Sequence, residues 1–219
     1  MPRLPAPEAL ERLRQGNRRF VLNQQSLEHR VIRPPDLVTE QRPFAIVLGC
    51  SDSRVPAELV FDQGLGDLFV IRVAGNIVAP SQVGSVEFAA ERFRTRLVVV
   101  LGHSRCGAIL ATLEELEAIG GGSSSRNLAS IVDRVRPSVE PLLATPLAGD
   151  RDGLIREAVR ANVRASVDHL RHGSEILERP IAEEGLRVVG AEYALESGEV
   201  EFFEGLDGAQ TPDAAPSAG

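Results

Sequence analysis

The chain has no tryptophan, one tyrosine, one methionine and two cysteines in 219 residues. Two cysteines cannot build a disulfide scaffold, and a chain this long can bury a core without one. No stretch approaches the roughly 18 apolar residues that a membrane-spanning helix needs. The first twenty residues are charged throughout, with no apolar segment and no small-residue cleavage site, so they do not read as a secretory leader. Positive charge is also short: 24 Lys and Arg stand against 31 Asp and Glu, a net charge of -7, which disfavours a nucleic-acid partner. These absences leave a cytoplasmic protein with no membrane or nucleic-acid partner as the expectation. In a reducing compartment Cys50 and Cys106 serve as ligands, nucleophiles or core filler rather than a disulfide.

What is present is ordinary for a globular fold: 43% hydrophobic and 25% charged residues. Residues 6–22 carry Leu10, Leu13 and Phe20 near helical spacing and read as an amphipathic helix that covers a neighbouring surface. Short apolar runs rich in Val and Ile at 44–49, 68–74 and 97–102 read as buried strands. Between and after them lie expected helices at 56–62, 81–94 with Ser81 as N-cap, 107–119, 127–135 and 152–177. The last of these carries Ile155, Val159, Val163, Val167 and Leu170 as an apolar stripe. The run 120–125, GGGSSS, reads as a flexible loop. Residues 186–195 and 199–203 read as two strands joined at Ser197-Gly198. Residues 205–219 have little to bury and read as a disordered tail. Strands alternating with helices indicate one α/β domain over 1–204 around a mainly parallel sheet, with 1–35 as a helical arm. In such sheets ligands gather at the carboxyl ends of strands.

The chemistry-bearing residues stand at those ends. The first strand runs into Cys50-Ser51-Asp52-Ser53-Arg54, and the third into His103-Ser104-Arg105-Cys106. Two thiolates and an imidazole form a Cys₂His set for Zn²⁺, and three protein ligands leave a fourth position open, as catalytic sites do. Zn²⁺ with two thiolates is neutral, yet it can acidify a bound water and generate hydroxide. Alternation along Cys50, Asp52 and Arg54 would put all three on one side of an extended segment. Asp52 could be the fourth ligand, or could accept a hydrogen bond from the metal's water. Arg54, paired with it, would hold it off the metal. Taken singly, a cysteine after a strand is core filler, a lone histidine is structural and Asp-x-Arg is a turn pair. Their coincidence at two strand ends favours a metal site. His29, His169 and His172 match no metal pattern.

At these residues the chain resembles the β-class carbonic anhydrases, whose motifs C-x-D-S-R and H-x-x-C-G match 50–54 and 103–107. The segments 61–78, 84–91, 16–21 and 188–200 are similar to that family as well, so the resemblance covers roughly 8–204. It implies a four-stranded parallel sheet with an added fifth strand and flanking helices. It also implies an N-terminal helix that reaches across to a partner in a homodimer, or in a dimer of dimers. The implied activity is reversible hydration of CO₂ to bicarbonate through zinc-bound hydroxide. Cys50, His103 and Cys106 become zinc ligands, Asp52 and Arg54 the catalytic dyad, and Gln41, Phe69, Ala74, Phe88 and Gly107 substrate-binding residues, with Gln41 and Phe69 supplied by the neighbouring subunit. One subgroup of the family needs a tryptophan three residues before the first cysteine ligand for a bicarbonate site; here that residue is Val47. Gln41, nine residues before Cys50, matches the other subgroup, whose zinc site is open to water. Phe88 stands approximately where that subgroup has a tyrosine. Hydrolysis of carbonyl sulfide or carbon disulfide on the same site is an alternative activity. A zinc-stabilised binding protein without catalysis is a third, which an intact Asp52 and Arg54 argue against.

Overall fold

The structure, a computed structural model, describes residues 4–25, 35–118 and 125–206. His29, the loop at 120–124 and most of the expected tail lie outside the described residues. Five strands form one sheet: β1 (Ala45–Gly49), β2 (Leu68–Arg72), β3 (Leu97–His103), β4 (Arg187–Tyr193) and β5 (Val200–Glu204). Their order is β2-β1-β3-β4-β5. The first four are parallel, and β5 returns antiparallel to β4 through the turn at Ser197-Gly198. β1 and β3 are buried at every position, which is why they appear in the sequence as unbroken apolar runs.

Helices α1 (Ala6–Val21) and α2 (Ala57–Val60) cover one face of the sheet. Helices α3 (Pro80–Arg92), α6 (Arg151–His172) and α7 (Glu175–Glu183) cover the other. Helices α4 (Gly107–Glu117) and α5 (Arg126–Val139) pack with the start of α6 beyond the strand ends, around Cys50, Ile77 and Cys106.

Helix α1 seats Ala6, Ala9, Leu10 and Leu13 on its own chain's sheet. Gly16 permits this approach, because a Cβ there would stand 1.8 Å from the Phe61 carbonyl oxygen. Buried Asn17 then fastens the helix: its Nδ2 donates to the Val60 and Gly198 carbonyls and its Oδ1 accepts the Val200 N–H.

Two expectations are corrected. The helix expected over 152–177 is two helices, because Gly173 caps α6 and Ser174 starts α7, its hydroxyl accepting the Leu177 N–H at 3.2 Å. Ser81 is not an N-cap: Pro80 takes the first helical turn, where its missing N–H costs nothing, and Ala79 stands at the cap. Among the described residues no helix is long and apolar enough to cross a membrane.

Candidate metal centre

The sheet topology brings the two motifs together. The chain leaves β1 for β2 on one side, then crosses back to lay β3 on the other, so the strand order reverses between β1 and β3. Ligand sites form at such a reversal. Gly49 pairs with both Arg72 and Leu101, so Cys50 emerges beside the residues that carry His103. Cys106 sits at the N-cap of α4.

Cys50, His103 and Cys106 are all buried, and their ligand atoms lie within 4.8 Å of one another. The two sulfurs are 3.9 Å apart. Two sulfurs bound at about 2.3 Å to one tetrahedral ion stand about 3.8 Å apart, so the spacing fits a shared metal. His103 Nδ1 is 2.9 Å from the Ser104 carbonyl oxygen and donates to it. This fixes the tautomer and leaves the Nε2 lone pair in the cluster, where Nε2 is buried with no hydrogen-bond partner. A buried orphaned acceptor is costly unless something binds it. The three donors therefore fit a divalent metal ion.

The electrostatics agree. Hydrogen bonding from the Cys106 thiol pulls the Cys50 pKa down against the effect of burial. The same bond, with burial, pushes Cys106 up, while the Ala108 and Ile109 amides at the start of α4 pull it back. Burial opposes a charge on His103, but the Cys50 thiolate, the Ser104 carbonyl and Asp52 together outweigh it and the pKa is raised.

Asp52 and Arg54 are paired beside the cluster, by a turn and not by an extended segment. The Val55 N–H closes onto the Asp52 carbonyl at 3.1 Å. Within that turn Asp52 Oδ1 accepts the Arg54 N–H at 3.0 Å and Arg54 Nε at 2.9 Å, and Oδ2 accepts Nη2 at 2.8 Å. These bonds hold the Asp52 carboxyl well below the usual carboxylate range. Its Oδ2 faces His103 Nε2 at 3.8 Å.

The other sequence candidates are divided. Gly107 opens α4 directly after Cys106, exposed, and a Cβ built on it meets nothing within 4 Å. Ala74 is half-buried in a short turn whose next residue, Gly75, donates its N–H to Cys50 Sγ at 3.4 Å. Gln41 is exposed ahead of β1. Phe69 and Phe88 lie together on the outer edge, at β2 and α3, with ring centroids 6.2 Å apart. Phe69 precedes the end of β2 by three residues, about 10 Å along the strand, so its ring does not line its own chain's cluster.

Three supporting groups went unread in the sequence. Arg72 donates through Nε to the Cys50 carbonyl at 3.1 Å and through Nη2 to the Asp52 carbonyl at 2.5 Å, clamping the first motif's backbone. Its signal was a charged residue at the carboxyl end of an apolar strand. Gly75 is the second group. The third, Glu196, accepts from Ser104 Oγ at 2.9 Å and Arg105 Nε at 3.0 Å, bracing the second motif. No local pattern marks it.

Comparison with known proteins agrees with this geometry. The family model described as carbonic anhydrase matches residues 45–200. A protein called carbonic anhydrase 2 from Mycobacterium tuberculosis is 38% identical over 90% of this chain and 93% of its own. A carbonic anhydrase from Mycolicibacterium smegmatis is 39% identical over 92% and 95%. Among solved structures, a β-carbonic anhydrase of Aspergillus fumigatus superimposes with a TM-score of 0.69 at 28% identity, covering 81% of each chain. One of two tetrameric β-carbonic anhydrases from Sordaria macrospora gives 0.68 at 26% identity, covering 77% of this chain and 84% of that one. With a family model matched from the first strand through the fourth, relatives over nearly the whole chain and the Cys-His-Cys cluster at the strand reversal, the chain belongs to the β-carbonic anhydrase family.

Proposed function

We propose that the chain is a zinc-dependent carbonic anhydrase that interconverts CO₂ and bicarbonate. The observation that carries this is the buried Cys50, His103 and Cys106 cluster with an orphaned His103 Nε2, next to a carboxylate tied back by an arginine. Zinc held by two thiolates and an imidazole supplies Lewis acidity that makes water a nucleophile at neutral pH, an effect best known from carbonic anhydrases with three histidine ligands.

The chain's own residues do the rest. Asp52 stays ionised, held down by Arg54, and is therefore a pure acceptor. It takes a hydrogen bond from the nucleophile's O–H and aims the oxygen lone pair at the carbon of CO₂. Arg54 keeps that carboxylate from swinging into the position the nucleophile needs. The Gly107 N–H, at the positive end of α4, would donate to oxygen charge developing on the substrate. CO₂ and water give bicarbonate and a proton, and the proton passes to buffer.

Gln41, Phe69, Ala74 and Phe88 complete the substrate pocket in this reading, the first two from a neighbouring subunit. Phe69, Phe88 and Phe93 form an aromatic cluster on the open edge of the sheet, and Phe88 is 53% exposed. That edge supports self-association into a homodimer or a dimer of dimers, and makes assembly necessary for activity. The catalytic unit is residues 1–204 and its place is the cytoplasm.

Parallel stopped-flow assays of the zinc-loaded protein on CO₂ and on carbonyl sulfide test the reading. Rapid CO₂ hydration is expected. Negligible hydration beside rapid sulfide release would instead make the protein a carbonyl sulfide hydrolase.

A further inference from the structure

Helix α6 carries an apolar stripe that packs on the sheet, but two polar residues interrupt its buried side. Asn162 is 2% exposed and Ser166 is 5% exposed. They stand one helical turn apart and face the same short turn, Ala74–Asn76. Asn162 Nδ2 donates to the Gly75 carbonyl at 2.8 Å, and Ser166 Oγ donates to the Asn76 carbonyl at 3.2 Å. Burying an amide and a hydroxyl is costly unless each is bonded, so this pair is committed to the turn.

The turn needs holding. Gly75 and Asn76 are both left-handed, with φ of 68° and 43°. Glycine adopts that region freely, and asparagine tolerates it better than other residues do. Asn76 Nδ2 is itself buried with no hydrogen-bond partner, so the turn is not self-sufficient. What it presents to the metal centre is the Gly75 N–H, 3.4 Å from Cys50 Sγ. An N–H on a thiolate withdraws charge from the sulfur, and so sets how strongly that sulfur donates to a metal.

We propose that Asn162 and Ser166 are positioning residues for the Cys50 thiolate: by pinning the Ala74–Asn76 turn to α6 they keep the Gly75 N–H on the sulfur. They touch neither metal nor substrate. The proposal rests on the metal-centre reading above and adds a tuning element that neither motif contains.

Cobalt-substituted protein provides the test, through the thiolate-to-cobalt charge-transfer band and the Co²⁺ dissociation constant. Asn162→Ala is expected to move the band to lower energy, because the sulfur regains electron density, and to weaken Co²⁺ binding roughly 10- to 100-fold, because an unpinned Cys50 is less well placed and holds its proton more tightly against the metal. Ser166→Ala should move both in the same direction by less. Val167→Ala, which removes core packing from the same helix, should lower Tm and leave the band in place. A folded Asn162→Ala protein with the wild-type band and affinity overturns the proposal. Should that variant not fold, Ser166→Ala decides in the same way. The wild-type protein loaded with an NMR-active cadmium isotope decides as well: it should show scalar coupling between the metal and the Gly75 amide proton, and absence of coupling overturns the proposal. Wild-type protein that takes up no Co²⁺ refutes the metal centre itself, a result distinct from unchanged variant spectra.

Discussion

Removing the Arg54 side chain should close the metal centre without emptying it. Two side-chain nitrogens of Arg54 hold Asp52, Nε on Oδ1 and Nη2 on Oδ2. The residue's own backbone N–H makes a third bond, to Oδ1. In Arg54→Ala the backbone bond survives and Oδ1 stays anchored, but Oδ2 is released. Oδ2 is the oxygen that faces His103 Nε2 at 3.8 Å. A nitrogen and an oxygen donor sharing one tetrahedral zinc lie about 3.4 Å apart. With the guanidinium gone, a side-chain rotation that brings Oδ2 toward that spacing would let Asp52 compete for the fourth position and displace the nucleophile. Stopped-flow CO₂ hydration at neutral pH should therefore fall roughly 10- to 100-fold, the usual effect of removing a partner that orients a metal site. Zinc content should stay full, and the visible spectrum of the cobalt form should change. Arg54→Lys should fall between, since one ammonium cannot hold both oxygens. Arg54→Ala with wild-type turnover at full metal occupancy would show that the guanidinium does not hold the site open.

Other expectations follow from the same geometry. Asp52→Asn should abolish most turnover while zinc stays bound, read by hydration rate beside metal content; survival of turnover contradicts the role given to the carboxylate. Cys50→Ala should lose the metal, and full zinc retention by atomic absorption contradicts the ligand set. Arg54 depresses the Asp52 pKa, so the pair's stabilisation is present above the carboxyl's ordinary value of 3.8 and is lost as pH falls toward the depressed one. The Tm gap between wild type and Asp52→Asn should thus be constant from about pH 8 down to about pH 5 and narrow below about pH 4. Phe88→Glu places a charge in the aromatic edge cluster, and should lower both the sedimenting mass and the hydration rate while circular dichroism is unchanged.

The centre of this molecule was readable because burial writes plainly. β1 and β3 are enclosed on both faces, so no polar residue interrupts them, and the first polar residues after each run are the metal-site residues. What escaped notice depended on contacts between distant segments. Gly173 and Ser174 split α6 from α7, yet Leu177 is buried just where one continuous stripe would put it, so periodicity alone joined the two helices. Alternation placed Asp52 and Arg54 on one side of an extended strand. The Asp52 side chain instead bonds the backbone two residues on, as aspartate does when it makes its own turn. The seat of α1 on its own sheet likewise depends on a distant contact, between Gly16 and Phe61. Glu196 reaches Ser104 from 92 residues away, and no local pattern records that distance.

X-ray absorption at the zinc edge, on the protein as isolated, reads the ligand set without any mutation. The expected first shell holds two sulfurs near 2.3 Å and two light atoms near 2.0–2.1 Å, one of them part of an imidazole. That shell matches Cys50, Cys106 and His103 with a fourth position left to solvent. A protein without zinc, or a shell with no sulfur or with four, would contradict it.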